Sequence, residues 1–205
     1  MAFANIGSTE GQISQSSTSD TVSAAVPSLG ANRVGIVLVN RVHGAARTVS
    51  GITWNGDAMT QAVVEDTNTT YRSAIFYLVG CDHNATYDVV VTYSGTSVAH
   101  TAHITVAWAD ATGEISIDDT SAGQGTTQNP TITSTQAGAN ELVVSGSISA
   151  ANTLGSPAVT DCTQLQNWDS GGDCMVSAYS QPASSGDVTH QHNYGASDVY
   201  AITSA

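Results

Sequence analysis

Apolar and polar positions alternate with a period of two along much of this chain. The alternation is plainest at 86–93, where Tyr87, Val89, Val91 and Tyr93 fall on one face and Asp88, Val90 and Thr92 on the other. Successive side chains of a pleated strand point to opposite faces, so this stretch predicts a half-buried β-strand with Tyr87, Val89 and Val91 in a core. An aromatic-rich run from Tyr71 to Val79 precedes it, and the intervening Gly80-Cys-Asp-His-Asn84 suits a hairpin loop. Ala102 to Ala109 supplies a third central strand. Upstream, Val34-Gly-Ile-Val-Leu-Val39 is almost continuously apolar, which predicts burial on both faces, with Gly35 marking a bulge or a close approach. Asn55-Gly56 fits a two-residue type I′ turn, whose central residues both need positive φ, and Gln61 to Glu65 continues that hairpin.

The flanks are plainer. Residues 2–30 are rich in Ser, Thr and Gly, with weak alternation over Thr21 to Val26, and read as edge strands or an arm. Past Asp110 the pattern predicts a short strand at Ile115-Ser-Ile117, a long polar loop from Asp118 to Asn129, and strands at 130–134 and 141–148. A hairpin follows from Thr160 to Ser180, and the last pair of strands is Val188 to Tyr194 with Asp198 to Thr203. No helical period exceeds two turns, and no tandem repeat of 20–50 residues is visible. Many short strands joined by Gly-rich turns predict an all-β sandwich of two packed antiparallel sheets. A length of 205 residues suits one such domain over 27–205, preceded by an arm or edge strands at 1–26.

Charge narrows the partners. The chain has 17 acidic residues, no lysine and four arginines, Arg33, Arg41, Arg47 and Arg72, for a formal charge of −13. Nucleic acid and anionic membrane need clustered cations, so neither is an expected partner. Charged residues are nevertheless few, which leaves a surface of Ser, Thr, Asn and Gln, as in extracellular or virion-surface proteins. The first residues, Met1 to Ser8, lack the basic and apolar regions of a secretory signal, and Val34 to Val39 is far short of a membrane span of ~20 residues. Synthesis in a cytoplasm is the expectation. There the three cysteines are read as separate thiols, with a Cys162–Cys174 bridge as the alternative.

Chemical motifs are sparse. No nucleophile elbow, phosphate-binding loop or dinucleotide fingerprint is present, so no catalytic or cofactor-binding residue is nominated and no cofactor is expected. His190-x-His192 places two imidazoles on one strand face, with Asp187 or His100 conceivable as a third metal ligand, but a solvated pair is the preferred reading. His100 and His103 fall on opposite faces of their strand. Asp118-Asp119 with Asp110 could hold Ca²⁺, against the simpler reading of a solvated acidic turn. Asn68-Thr-Thr70 and Asn84-Ala-Thr86 match the glycosylation sequon. Trp108 reads as core, while Trp54 and Trp168 lie beside turns and are the candidates for stacking on a glycan.

The order of these motifs carries more than any one of them. An apolar strand at 34–39, then Val49-Ser-Gly-Ile-Thr-Trp-Asn-Gly-Asp-Ala-Met-Thr60, Ile75 to Val79, Thr86 to Gly95, a strand ending near Trp108, Pro130-Thr-Ile-Thr, Asn140 to Ser145 and a closing Val199 to Ile202 follow one another. Over residues 15–205 this resembles the jelly-roll-like β-sandwich domains of tailed-bacteriophage virion proteins and of some bacterial surface proteins. The resemblance implies a non-enzymatic, structural or adhesive role: a capsid decoration (cement) protein on a phage head. The alternative it implies is a tail, neck or fibre component, or an adhesin binding a host surface glycan. The implied partners are the major capsid protein or other virion proteins and further copies of the chain, with a homotrimer favoured, and the implied location is the virion. On this reading residues 2–26 would extend, at ~3.3 Å per residue, to clamp a neighbour.

Overall fold

The computed structural model describes every residue except 1, 44–46, 68–69, 97 and 152. The first half forms β1 (Phe3–Ser17), β2 (Ser19–Val26), β3 (Arg33–His43), β4 (Val49–Trp54), β5 (Asp57–Ala58), β6 (Thr60–Glu65), β7 (Tyr71–Val79), β8 (Ala85–Tyr93) and β9 (Val98–Ala111). The second half forms β10 (Ser121–Thr127), β11 (Thr131–Gln136), β12 (Val143–Ser149), β13 (Leu154–Thr160), β14 (Thr163–Asp169), β15 (Cys174–Ser180), β16 (Gly186–Tyr194) and β17 (Asp198–Ser204). The chain is all-β and its ladders are antiparallel, as the alternation predicts.

The sheets number four rather than two. In the first half β1-β9-β3-β7-β6 faces β2-β8-β4-β5; in the second, β10-β17-β12-β15-β14 faces β11-β16-β13. First strand beside last, and neighbours in sequence changing sheets, is the jelly-roll order, with β6 and β14 added at an edge. One hairpin and one strand pair expected from sequence are therefore crossovers. Gly80 to Asn84 carries the chain from β7 in one sheet to β8 in the other, and β16 and β17 likewise part company. The turn at Asn55-Gly56 does form, with φ of 51° and 92° and Trp54 paired to Asp57. Gln61 to Glu65 does not continue that hairpin: it crosses to the other sheet as β6 and pairs with β7. Ile115-Ser-Ile117 is loop, and the stretch expected as a long loop contains β10.

Three apolar layers bind the sheets into one stack. Val37, Val39, Phe76, Ile104 and Trp108 of the first five-stranded sheet pack on Val22, Ile52, Trp54, Val89 and Val91 of its partner. The opposite face of the same sheet, with Val34, Ile36, Leu38 and Ile75, packs on Val144 and its neighbours in the second half. β3 is thus covered on both sides, which is why Val34 to Val39 is continuously apolar. Gly35 marks the close approach foreseen for it: a Cβ there would stand 2.8 Å from the Trp54 ring. The third layer, Ala158, Val159, Val176, Ala178 and Tyr194, closes the second sandwich.

The two halves are the same structure twice. Replacing β1, β9, β3, β7, β6 by β10, β17, β12, β15, β14 turns one sheet order into the other, and β2-β8-β4 becomes β11-β16-β13. The registers agree as well. Thr60-Gln61 pairs with Tyr77 and Phe76 and then bulges, and Thr163-Gln164 pairs with Tyr179 and Ala178 and bulges at the same point. Gly11 faces Ile104 as Gly123 faces Ile202. In this alignment Leu38 corresponds to Gly146, and Leu38 lies over that glycine, where a Cβ would come within 3.2 Å of its Cδ2. A residue that touches its own counterpart marks the axis of a two-fold-like, isologous contact. A buried polar seam crosses this contact. Ser73 Oγ donates to the Gly146 carbonyl at 3.0 Å and lies 2.7 Å from Thr203 Oγ1, and Thr105 Oγ1 lies 2.8 Å from Ser177 Oγ.

One consequence is directly measurable. Val89 is fully buried, between its cross-strand neighbours Trp54 and Val22. Val89→Asp removes roughly 1.5–3 kcal/mol of burial and adds an unpaired buried carboxyl, against a total stability of about 5–15 kcal/mol. The expected result is loss of cooperative melting of the first sandwich by circular dichroism; a melt equal to that of the parent would contradict the packing.

Candidate functional site

The residues nominated from sequence are scattered. Trp54 is fully buried, with its indole N–H donating to the Asp82 carbonyl at 3.2 Å, so the expected exposed platform of Trp54 and Trp168 does not form. The turn beside Trp54 is at the surface, but the strand phase of the tryptophan points inward over Gly35. Trp168 is half-buried against Ile148, Met175 and Tyr71, with its ring centroid 6.4 Å from that of His103. Trp108 is core, as expected. Asp110, Asp118 and Asp119 accept backbone N–H groups of Gly30, Ala137 and Thr135 separately, so they clip loops instead of converging on a cation. Among the described residues no group of three His, Cys, Asp or Glu could hold a metal. Cys81, Cys162 and Cys174 are free thiols, with burial pushing them up to about 11, about 11 and about 12. Asn84 is exposed, whereas the Asn68 sequon lies outside the described residues.

Two buried polar centres stand out instead. The first caps one end of the first sandwich. Arg41 of β3 and Arg72 of β7 are cross-strand partners, on the face that Val39 and Ala74 turn toward the outer sheet. The Arg41 guanidinium lies 4.2 Å over the Tyr93 ring, and its Nη2 donates to the Arg47 carbonyl at 2.8 Å. Arg47 in turn ties down two loops, donating from Nε to the Ser94 carbonyl at 2.5 Å and from Nη1 to the Ser17 carbonyl at 3.1 Å. Beside them Asp20 accepts from Tyr93 Oη at 2.6 Å and Gln15 Nε2 at 2.9 Å, and stands 2.7 Å from His100 Nε2. Burial alone would raise the Asp20 carboxyl; the bonds from His100, Tyr93 and Gln15 outweigh it and hold Asp20 below its ordinary range. Burial draws Arg41 down to about 10, with the charges of Arg72 and Arg47 adding to the fall, so it remains a cation at neutral pH.

The second centre fills the interior of the second sandwich. His190 and His192, expected to be solvated, are completely buried. They belong to an unbroken chain of hydrogen bonds. Ser180 Oγ lies 2.6 Å from His190 Nε2, and Ser145 Oγ lies 2.7 Å from His190 Nδ1 and 2.9 Å from His192 Nε2. Ser147 Oγ bonds His192 Nδ1 and lies 2.5 Å from Tyr194 Oη. With both imidazoles neutral, each link receives one proton if donation runs from Tyr194 through Ser147, His192, Ser145 and His190 to Ser180. The reverse direction would strand a proton on the buried Tyr194, whereas this one leaves the spare hydroxyl at half-exposed Ser180. Burial pushes His190 down to about 4 and His192 down to about 3, the latter helped by His190.

The duplication explains why neither centre is conspicuous in sequence. His190 and His192 stand where the first half has Val89 and Val91, and Ser145 and Ser147 where it has Val37 and Val39. A polar residue in the inward phase of a strand reads as a solvent face. The signal that was available lies in β3, where Arg41 continues the inward series Val37, Val39 in a chain that has four cations. Comparison with family models, with curated proteins and with solved structures finds no match to this chain.

Proposed function

We propose that this chain is a non-catalytic structural protein that coats a larger particle, with a decoration role on a tailed-phage head as the favoured form. The observation that carries the reading is where the reactive side chains have gone. His100, His103, His190 and His192, and three of the four arginines, are buried inside the stack, mostly bonded to the protein's own groups. What faces solvent is Ser, Thr, Asn, Gln and carboxylate, with Arg33 as the outward cation among the described residues, itself holding the Cys81 carbonyl at 2.6 Å. Such a surface repels nucleic acid and stays soluble at high density. A rigid four-layer body with strand edges at its borders is suited to docking by backbone pairing. β1 is the longest of those edges, paired to β9 along one side over Phe3–Ser17 and, among the described residues, bordered by no further strand on the other. Residues 2–26 are ladder strands of this chain, the edge-strand alternative of the sequence reading, so attachment would use that edge in place of a free arm. Quantitative mass spectrometry of purified particles tests the proposal. Copy numbers comparable to the major capsid protein mean head decoration, a handful per particle means neck or tail, and absence from particles overturns the reading.

A further inference from the structure

The cation cluster at the end of the first sandwich has more hydrogen-bond donors than the protein uses. Among the described residues, Nε and Nη1 of Arg41, Nη2 of Arg47 and Nε and Nη1 of Arg72 are buried without a hydrogen-bond partner. Arg41, Arg47 and Arg72 are 1%, 4% and 8% exposed, so water does not substitute freely for the missing acceptors. The one carboxylate within the cluster, Asp20, already accepts from Tyr93 and Gln15 and contacts His100. Asp66 stands at the rim, 3.8 Å from Arg72 Nη1, with its side chain 41% exposed. Three like charges, with donors left over, in a chain of net charge −13 is an arrangement that costs stability as it stands.

The fold itself does not require it. In the second half the counterpart of Arg41 is Ser149 and that of Arg72 is Cys174, and the same strands pair in the same registers around those small neutral groups. The arginines are therefore an addition to one sandwich. Their placement also brings together three different elements: β3, β7 and the segment before β4. Guanidinium groups are the side chains suited to oxyanions, because they stay charged when buried and present several N–H groups in one plane.

We propose that Arg41, Arg47 and Arg72 form a binding site for a small tetrahedral oxyanion of the phosphate or sulfate class. The bound anion neutralises the cluster and accepts the free donors, and so ties the strand ends to the loop held by Arg47. Tetrahedral ions carry oxygens enough to meet three guanidinium groups approaching from separate elements; a lone carboxylate has two.

The test uses the full chain, purified in chloride. Thermal melts at one pH and matched ionic strength are compared in sodium chloride, acetate, phosphate and sulfate. Phosphate or sulfate at about a hundred times its dissociation constant is expected to raise Tm by roughly 5–10 °C over chloride, with acetate well behind. An anion that survives purification is instead expected as about one equivalent released on denaturation, read by ion chromatography. Arg72→Gln is expected to weaken the response at least tenfold in concentration, while Arg33→Gln, at the other end of β3, leaves it unchanged. No Tm shift with either anion and no released anion from the parent protein overturns the site, and this result needs no variant to fold. A shift of equal size in parent, Arg41→Gln and Arg72→Gln overturns it too, because it then reflects salt acting on the surface as a whole.

Discussion

Removal of residues 2–26 is expected to unfold the first sandwich. β1 lies along β9 from Phe3 to Ser17, and Gly7 sits against the Trp108 ring, so its loss bares a long strand edge and a tryptophan. β2 contributes Val22, Ala24 and Val26 to the core, each almost wholly buried. The two valines alone are worth roughly 1.5–3 kcal/mol each. Asp20 leaves with them, so Tyr93 loses its acceptor and His100 its carboxylate partner inside a cluster of arginines. Loss of these two buried bonds costs a further ~1–3 kcal/mol each, so the total, about 5–12 kcal/mol, is of the same size as the whole stability of a domain, about 5–15 kcal/mol. Circular dichroism of the truncated chain is expected to show weakened β signal and a single transition belonging to the second half. A truncated chain that melts cooperatively within a few degrees of the parent would mean that residues 2–26 are the dispensable arm that their composition suggests.

That contrast illustrates what the pattern of residues could reveal. Val34 to Val39 announces a strand covered on both faces, and Val89 and Val91 announce an inward phase, because in these strands burial is achieved with aliphatic side chains. β2 is less plain, since inward Ala24 is small and outward Ala25 is apolar, yet its register with β8 is regular throughout. The second half is where reading by hydrophobicity fails. β12 turns Ser145, Ser147 and Ser149 into the second sandwich, and β16 presents His190 and His192 to them, so the face toward that interior is the polar one. Its membership of the same fold shows in spacing and in scattered matches, such as Thr60-Gln61 with Thr163-Gln164 and Tyr93 with Tyr194, and a search for periods of 20–50 residues passes over a repeat of half the chain. The number of sheets was hidden for the same reason: strands reveal their faces locally, but which sheet a strand joins depends on crossovers such as Gly80 to Asn84 that look like hairpin loops. The oxyanion site was legible only in part. Arg41 in the inward phase of β3 is visible in the sequence, whereas Arg72 meets it through the pairing of β7 with β3, and Arg47 is turned toward it by bonds to Ser94 and Ser17 far along the chain.

Acidification from pH 7 to pH 5 is expected to destabilise the protein by about 4 kcal/mol, through His190 and His192. In the unfolded chain both imidazoles take up a proton near pH 6.5. In the fold His190 is held down to about 4 and His192 to about 3 by burial, because a charged imidazole there would be desolvated and would reverse a donor in the chain from Tyr194 to Ser180. The folded-state values are depressed, so below pH 6.5 the unfolded state binds more protons and stability falls with pH until the folded values are reached. Over the interval to pH 5 this amounts to about 2 kcal/mol for each histidine, at about 1.4 kcal/mol per unit. Asp20 and Glu10 also titrate below their ordinary values, but their contributions are lost below about pH 4–5 and leave this window largely to the histidines. Protonation of surface carboxylates relieves self-repulsion in the opposite sense, and moderate salt screens that term. Urea unfolding at pH 7, 6 and 5 in such salt reads the slope directly. Replacing the buried network by the residues of the first sandwich (Ser145→Val, Ser147→Val, His190→Val and His192→Val, with Tyr194→Phe) is expected to abolish the slope while keeping the fold. Both partners of each inner bond become apolar together, and the one remaining hydroxyl, half-exposed Ser180, turns to water. A parent protein whose stability is level between pH 7 and pH 5 would mean that the imidazoles are reached by water, and that the chain of hydrogen bonds is open at more than its Ser180 end.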